Sequence, residues 1–326
     1  MSFWLYYFFS KSQKPAAIKC VPKLHKSGFT LIELSIVLVI IGLIVGGVLV
    51  GQDLIRAAGV RAVITQIEKY NTAANTFRGK YGSLPGDMNA ASATQFGFAA
   101  RGTYKGEGDG NGVIEGVTSD GAGNNNGTLE NTGETTMFWV DASQVKLIDA
   151  TFTIATSTGG IPSYWSAAPA TFLPEAKIGN GNFVAVWSGG WGWGATPAAG
   201  DGNNYFTIAA ASAGFINASG DAYWTPGLTV SQAYNIDKKV DDGLPQSGSV
   251  LAMYPYNGLV YWAAGGGGAL NGNYGASTYP QNGPTTAATA YNAVNCFDNN
   301  NVTGTQKYSL AQNSNQVNCS LSFRFQ

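Results

Sequence analysis

The stretch Lys26–Gly47, KSGFTLIELSIVLVIIGLIVGG, decides how the fold begins. From Phe29 to Gly51 the only ionisable side chain is the carboxylate of Glu33. A helix of this length rises about 35 Å, enough to cross the roughly 30 Å hydrocarbon core of a bilayer. A charge inside hydrocarbon costs several kcal/mol and usually marks a functional position. The sequence therefore predicts a membrane span over 29–51 in which Glu33 has a role.

The residues before this span are basic. Residues 1–28 contain five lysines and no acidic residue, so they are predicted to stay on the cytoplasmic side while the bulk of the chain crosses the membrane. An ordinary secretory signal has a small-residue cleavage site after its apolar region, whereas here Gly28 precedes it. The whole chain has a net charge of -1, and the part after residue 28 is acidic, which argues against a nucleic-acid-binding surface.

The sequence KSGFTLIE, Lys26–Glu33, resembles the prepilin signal of type IV pilins and type II secretion pseudopilins. The resemblance implies that prepilin peptidase removes residues 1–28 by cutting between Gly28 and Phe29, and that it methylates the new amino group of Phe29. It also implies the partners, which are other pilin or pseudopilin subunits and an assembly platform with its ATPase. The implied location is the bacterial inner membrane, single-pass with the bulk periplasmic, and then a pilus or pseudopilus.

Cleavage at this bond would give Glu33 a function. Glu33 would become the fifth residue of the mature chain, and stacked subunits could place the Phe29 amine of one beside the Glu33 of its neighbour. Two costly buried charges would then pair, and the pairing would fix the axial register. The alternative is a plain membrane anchor with a glutamate at the interface.

The helix is predicted to extend beyond the membrane span to about residue 80. Apolar positions recur at alternating spacings of three and four, which traces one stripe along a helix. The segment Tyr81–Asp87, YGSLPGD, is predicted to end the helix, because its first glycine suits a C-cap and a proline follows soon after. This segment also resembles the one that follows the helix in many pilin-like proteins. The stripe consists of Val60, Val63, Ile67, Tyr70, Ala74, Phe77 and Tyr81.

The remaining chain divides by pattern into two regions. In 81–150 a loop-like stretch over 88–130 precedes a short helix predicted over 132–148, with Asn131 as N-cap and Glu134 as its capping-box partner. In 151–326 short apolar runs between Gly, Pro and Asn predict a β-rich domain with one brief helix at about 230–240. The predicted strands include Phe152–Ala155, Phe183–Trp187, Tyr205–Ala209, Val250–Tyr254 and Leu259–Ala263. The fold class is thus α+β and pilin-like: a long N-terminal helix packed on an antiparallel sheet domain with long loops.

Histidine and cysteine usage restricts the chemistry. The only histidine is His25, so the chain after it has no Ser–His pair and no histidine-ligated zinc, and we expect no enzyme. Cys296 and Cys319 are the only cysteines after residue 28, and in an exported protein such a pair predicts one disulfide. The alternative is a reduced pair in a cytosolic protein.

One loop has the composition of a cation site. Glu107, Asp109, Asn111 and Glu115 place oxygen side chains at alternating positions, with Gly112 for a sharp turn, as in part of a calcium loop. The calcium-free alternative is an Asn/Gly turn. No other cofactor is expected.

The predicted function is a structural subunit of a pilus or pseudopilus, and the large β domain favours a minor or specialised one. The alternative is an adhesin or sugar-binding module displayed by the filament, for which Trp187, Trp191 and Trp193 would have to form an exposed patch. Asp237, Asp241 and Asp242 are interpreted as turn residues before Gly243, with a second cation site as the alternative.

Overall fold

A computed structural model describes ten stretches of the chain, and every structural statement below refers to them. They are 28–102, 106–116, 133–153, 155, 169–188, 202–211, 224–256, 259–263, 296–298 and 306–326. The chain divides into two compact units, Met1–Asp53 and Leu54–Gln326, each described by itself. Trp191 and Trp193, together with the predicted N-cap Asn131, lie outside the described residues.

The long predicted helix is present as α1, Leu31–Tyr81. In the first unit its apolar side chains are exposed on every side. Among the described helices, α1 is the one long and apolar enough to cross a membrane. In the second unit the predicted stripe is the face that packs inward, with Val63, Ala74 and Phe77 fully buried. The helix ends where the sequence indicates, because Gly82 adopts a φ of 81° and its N–H bonds to the Arg78 carbonyl.

Two helices follow in the region predicted to be mostly loop. The first, α2, covers Ala90–Phe96 and was not predicted; Asn89 caps it by accepting a hydrogen bond from the N–H of Ser92. The second, α3, covers Glu134–Gln144, so the predicted range 132–148 was too long at both ends. Its side chains from Glu134 to Ser143 are all buried, so it is an interior helix.

In the rest of the second unit the described strands form an antiparallel sheet, as predicted. The helix α4, Val230–Val240, begins with a capping box between Thr229 and Gln232 and confirms the predicted helix near 230–240. A 3-10 turn covers Pro169–Thr171 and a short α5 covers Leu310–Asn313. The strands are β1 Asn182–Trp187, β2 Tyr205–Ala210, β3 Leu228–Thr229, β4 Val250–Tyr256, β5 Leu259–Trp262, β6 Phe297–Asp298, β7 Lys307–Tyr308 and β8 Val317–Arg324.

The main sheet is organised around β8. The strand order among the described residues is β1-β2-β8-β4-β5, with β3 also paired to β8 and with β6 and β7 forming a separate pair. Leu321 of β8 faces Ile208 of β2 on one side and Ala252 of β4 on the other. The sequence did not identify β8, and the strand predicted at Phe152–Ala155 is wrong, because the described residues there have no regular structure.

The core forms where α1, α3 and the sheet meet. The ring of Tyr70 on α1 lies 5.0 Å from that of Trp139 on α3, and 6.1 Å from that of Phe206 on β2. Trp139 and Phe206 are fully buried. This junction attaches the C-terminal half of α1 to the sheet and holds α3 between them. A second cluster packs the end of α1 against α2 and the residues that follow it, and in this cluster the rings of Phe77 and Phe98 are 5.3 Å apart.

Candidate functional site

The residues around the predicted cleavage bond are exposed and precede the helix. Gly28, Phe29 and Thr30 have no helical structure, and 85% of the Phe29 side chain surface is accessible. A Cβ at Gly28 would meet no atom within 4 Å. The bond between Gly28 and Phe29 is therefore accessible in this chain, while its cleavage stays a prediction.

Glu33 caps the first turn of α1. Its Oε2 accepts hydrogen bonds from the Thr30 N–H and the Thr30 hydroxyl, both at 2.8 Å. In return the Glu33 N–H donates to the Thr30 hydroxyl at 3.3 Å. This is a capping box, whose Thr-x-x-Glu signature was present in the sequence but was interpreted only as part of the prepilin signal. Pairing of Glu33 with the amine of a neighbouring subunit stays a prediction.

The loop proposed for calcium is organised by two carboxylates from elsewhere in the chain. Glu134, at the start of α3, accepts from the N–H groups of Gly108 at 3.0 Å and Glu115 at 2.9 Å. Asp87, in the segment that ends α1, accepts from the N–H groups of Gly110 and Gly112, each at 2.9 Å. The predicted capping-box role of Glu134 is therefore wrong, because its side chain binds this loop instead.

Burial of these carboxylates changes their acidity. Asp87 is 1% exposed and Glu134 is fully buried. The pKa of Asp87 is raised to about 7, mainly by burial and secondarily by the charge of Asp109, while the hydrogen bonds from the loop oppose the rise. Burial likewise raises the pKa of Glu134 well above its usual range, with the charge of Asp87 as the next cause. The site therefore holds carboxyl groups close together whose ionised forms are costly in this buried environment.

The structure brings together a different oxygen set from the one predicted. Carboxylate oxygens of Asp87, Asp109 and Glu134 lie within 4.8 Å of one another, and of these only Asp109 belongs to the predicted four. The Asn111 side chain instead makes turn contacts, accepting from the Val113 N–H at 2.7 Å and donating to Asp109 at 3.0 Å. Glu107 and Glu115 are buried outside that close group. Calcium binding at this loop stays a prediction.

Beside the cluster lies a buried ion pair. Arg101 donates to Asp141 of α3 at 2.5 Å, and both side chains are fully buried. The same Asp141 oxygen accepts from the Gly86 N–H at 2.7 Å. Burial raises the pKa of Asp141, and Arg101 opposes that rise. Asp141 therefore joins both Gly86, in the turn after α1, and Arg101 to α3.

Cys296 and Cys319 form a disulfide in the structure, with a Cα–Cα distance of 5.0 Å. Both cysteines are buried, and Cys319 lies on β8 opposite Leu228. The bond attaches the segment that contains β6 to the centre of the main sheet.

Trp187 does not form the exposed patch that a sugar-binding site would need. It is fully buried, its ring stacks on that of Trp262 at 5.4 Å, and its indole N–H donates to the Thr207 hydroxyl. Of the three tryptophans that prompted the adhesin alternative, the one that the structure describes is therefore a core residue.

The aspartates near Gly243 act as turn residues, as interpreted. Asp237 accepts from the Gly243 N–H, Asp242 from the Leu244 N–H, and Asp241 from the N–H groups of the residues that lead into β4.

Comparison with known proteins places one recognisable motif in the chain. The family described as the prokaryotic N-terminal methylation motif matches residues 23–49. No curated protein and no solved structure matches the chain. The matched residues contain Gly28, Phe29 and Glu33 and the apolar start of α1. The chain therefore carries the prepilin-type signal of type IV pilins and pseudopilins.

Proposed function

We propose that this protein is a structural subunit of a type IV pilus or a type II secretion pseudopilus, minor or specialised rather than the main component. Prepilin peptidase matures it between Gly28 and Phe29, and it is assembled through α1. Before assembly it sits in the inner membrane as a single-pass protein with its bulk in the periplasm. The methylation motif over 23–49 is the observation that carries this proposal.

The surface of α1 supports the same function. Apart from Glu33 and Ser35, its side chains from Leu31 to Val50 are apolar and exposed on all sides, so they need lipid or other apolar helices around them. The same surface suits the bilayer before assembly and a bundle of neighbouring helices afterwards. The minor or specialised role is supported by the size of the sheet domain, which is large for a subunit packed in many copies.

The first experiment tests processing. The mature protein is expected to begin at a methylated Phe29, which N-terminal mass spectrometry of membrane-derived protein measures directly. Gly28→Ala should be processed better than Gly28→Leu, because the peptidase must accommodate this side chain. A different mature start, or an intact leader in cells with active peptidase, contradicts the proposal.

The second experiment tests assembly through Glu33. Glu33→Ala removes both the charge and the cap, whereas Glu33→Gln retains a capping-box acceptor and removes only the charge. We expect Glu33→Ala to enter the membrane normally but fail in filaments, since a neighbour's ammonium would be left buried and unpaired at a cost of about 3–5 kcal/mol. Glu33→Gln should be intermediate.

Immunoblots of membrane and sheared-filament fractions measure both steps in cells that lack the wild-type subunit. Recruitment is expressed relative to the main subunit of the filament. Ser35→Ala is the matched control, because Ser35 is a polar residue of the same apolar segment and its hydroxyl donates to the Ile32 carbonyl of its own helix. If Glu33→Ala enters filaments as well as Ser35→Ala does, the carboxylate has no role in assembly.

A further inference from the structure

Hydrogen bonds within its own loop hold the carboxamide of Asn111 in one orientation. Its Oδ1 accepts from the Val113 N–H at 2.7 Å, which forms an Asx turn. Its Nδ2 donates to a carboxylate oxygen of Asp109 at 3.0 Å and to one of Glu115 at 3.3 Å. The Asn111 residue is exposed. The carboxamide is therefore both ordered and accessible to water.

The residue after Asn111 is a glycine, and its backbone nitrogen can reach the side-chain carbonyl carbon. A bond from the Gly112 nitrogen to Cγ of Asn111 closes a five-membered ring, and Gly112 has no Cβ to obstruct the approach. The Asx turn folds the carboxamide back over the Gly112 peptide, because its Oδ1 binds the N–H two residues on. The Gly112 N–H donates to Asp87 at 2.9 Å, which raises the electron density on the nitrogen. The nucleophile and the carbonyl group are thus ordered next to each other before any reaction.

The Asn111 oxygen already has the donor that ring closure needs. Attack on Cγ moves negative charge onto Oδ1, and the Val113 N–H donates to this atom. A hydrogen bond to a charged oxygen is stronger than one to a neutral carbonyl, so this contact stabilises the transition state more than the starting amide. Because the donor is in place beforehand, no reorganisation is needed during the reaction.

We propose that Asn111 is a self-modification site, at which the chain converts its own carboxamide to a carboxylate. The Gly112 nitrogen bonds to Cγ of Asn111 and gives up its proton, the Cγ–Nδ2 bond breaks, and Nδ2 leaves with that proton as ammonia. Water then opens the succinimide, at Cγ to give aspartate or at the backbone carbonyl to give isoaspartate. The reaction consumes only water. The product places a negative charge beside Asp109 and Glu115, to which the side chain had donated hydrogen bonds.

The chain contains a matched comparison for this site. Asn180–Gly181 is the other Asn–Gly dipeptide in the part of the chain that the structure describes, and both of its residues are exposed. Among the described contacts, no hydrogen bond holds the Asn180 side chain or the Gly181 N–H. The two sites therefore share the reacting groups and differ in how these groups are ordered.

Peptide mass spectrometry of the full chain, incubated in detergent at neutral pH, measures modification at both sites. A chelator in the buffer keeps cations off the loop. The succinimide has lost ammonia, and the acid products carry a hydroxyl group in place of the amide. In the folded chain Asn111 should react at least about fivefold faster than Asn180, because only its reacting groups are ordered. In guanidinium chloride the two rates should agree within about twofold, since the ordering is lost.

Asn111→Gln separates this reaction from hydrolysis of an exposed amide. The longer side chain would have to close a larger, less favourable ring, so loss of ammonia at this position should slow by at least about tenfold. Asn180→Gln is the control and should leave the Asn111 rate unchanged. The proposal is overturned if folded Asn111 reacts less than about fivefold faster than Asn180, if unfolding leaves that difference in place, or if Asn111→Gln slows the reaction by less than about tenfold.

Discussion

Replacing Gly86 by alanine is expected to destabilise the second unit far more than the same change at Gly82. Both glycines have positive φ, 84° and 81°, so alanine at either costs about 1–2 kcal/mol for the left-handed conformation. At Gly82 a new Cβ would meet no atom within 4 Å. At Gly86 it would lie 2.9 Å from the backbone nitrogen of Phe138 and closer still to the carbonyl oxygen of Glu134.

The additional cost at Gly86 comes from backbone that cannot move easily. Both atoms belong to α3, which is buried between α1 and the sheet, so the turn containing Gly86 must shift instead. That shift would also lengthen the bond from the Gly86 N–H to Asp141. Overpacking of this kind costs about 1–3 kcal/mol, so Gly86→Ala should lose about 2–5 kcal/mol in total.

Urea unfolding of the detergent-solubilised full chain, followed by tryptophan fluorescence, measures this difference. The change in midpoint relative to wild type, with an unchanged slope, gives the loss in free energy of unfolding. Gly82→Ala is the matched control, and Gly86→Ala should lose about 1–3 kcal/mol more than it does. Equal midpoints for the two variants would show that the close approach of the turn to α3 does not constrain the fold.

Three further predictions test other contacts in the second unit. Asp141→Asn leaves the Arg101 guanidinium buried without a counter-charge and should cost about 3–5 kcal/mol of unfolding free energy. The double variant Arg101→Met/Asp141→Leu should lose less, because no unpaired charge stays buried. If the single variant loses less than the double variant, the pairing is contradicted. Replacing Cys296 and Cys319 together by alanine should cost about 3 kcal/mol, and thiol labelling of denatured, unreduced wild type should find neither of them free. Millimolar calcium should raise the thermal midpoint of wild type but not of Asp109→Asn, and equal shifts would exclude the loop as the site.

Local patterns in the sequence predicted the elements that are regular over many residues. The stripe of α1 could be recognised because its periodicity continues from Val60 to Tyr81. The helix α4 could be recognised because Gly243 and Pro245 mark where it has to end. The sequence of β8 also has a strand pattern, with an apolar residue at every second position from Val317 to Phe323. It was missed because polar residues separate these positions, so β8 does not form a continuous apolar run.

The organisation of the carboxylate cluster could not be predicted from local patterns. Glu134 binds N–H groups 19 to 26 residues earlier, and Asp87 binds groups 23 to 25 residues later. Such pairs become neighbours only after α3 packs beside the turn that ends α1. The sequence therefore identified an oxygen-rich loop around Asp109 but could not identify the two buried carboxylates that hold it.

The position of β8 sets the order in which the sheet can be completed during synthesis. β2 and β4 are both made before β8, yet each needs it as a hydrogen-bonding partner. Until Val317–Arg324 emerges, those two strands present unpaired backbone edges, which are templates for aggregation. A nascent chain that stalls before this strand would be a substrate for chaperones or proteases, although its long apolar helix would already be complete.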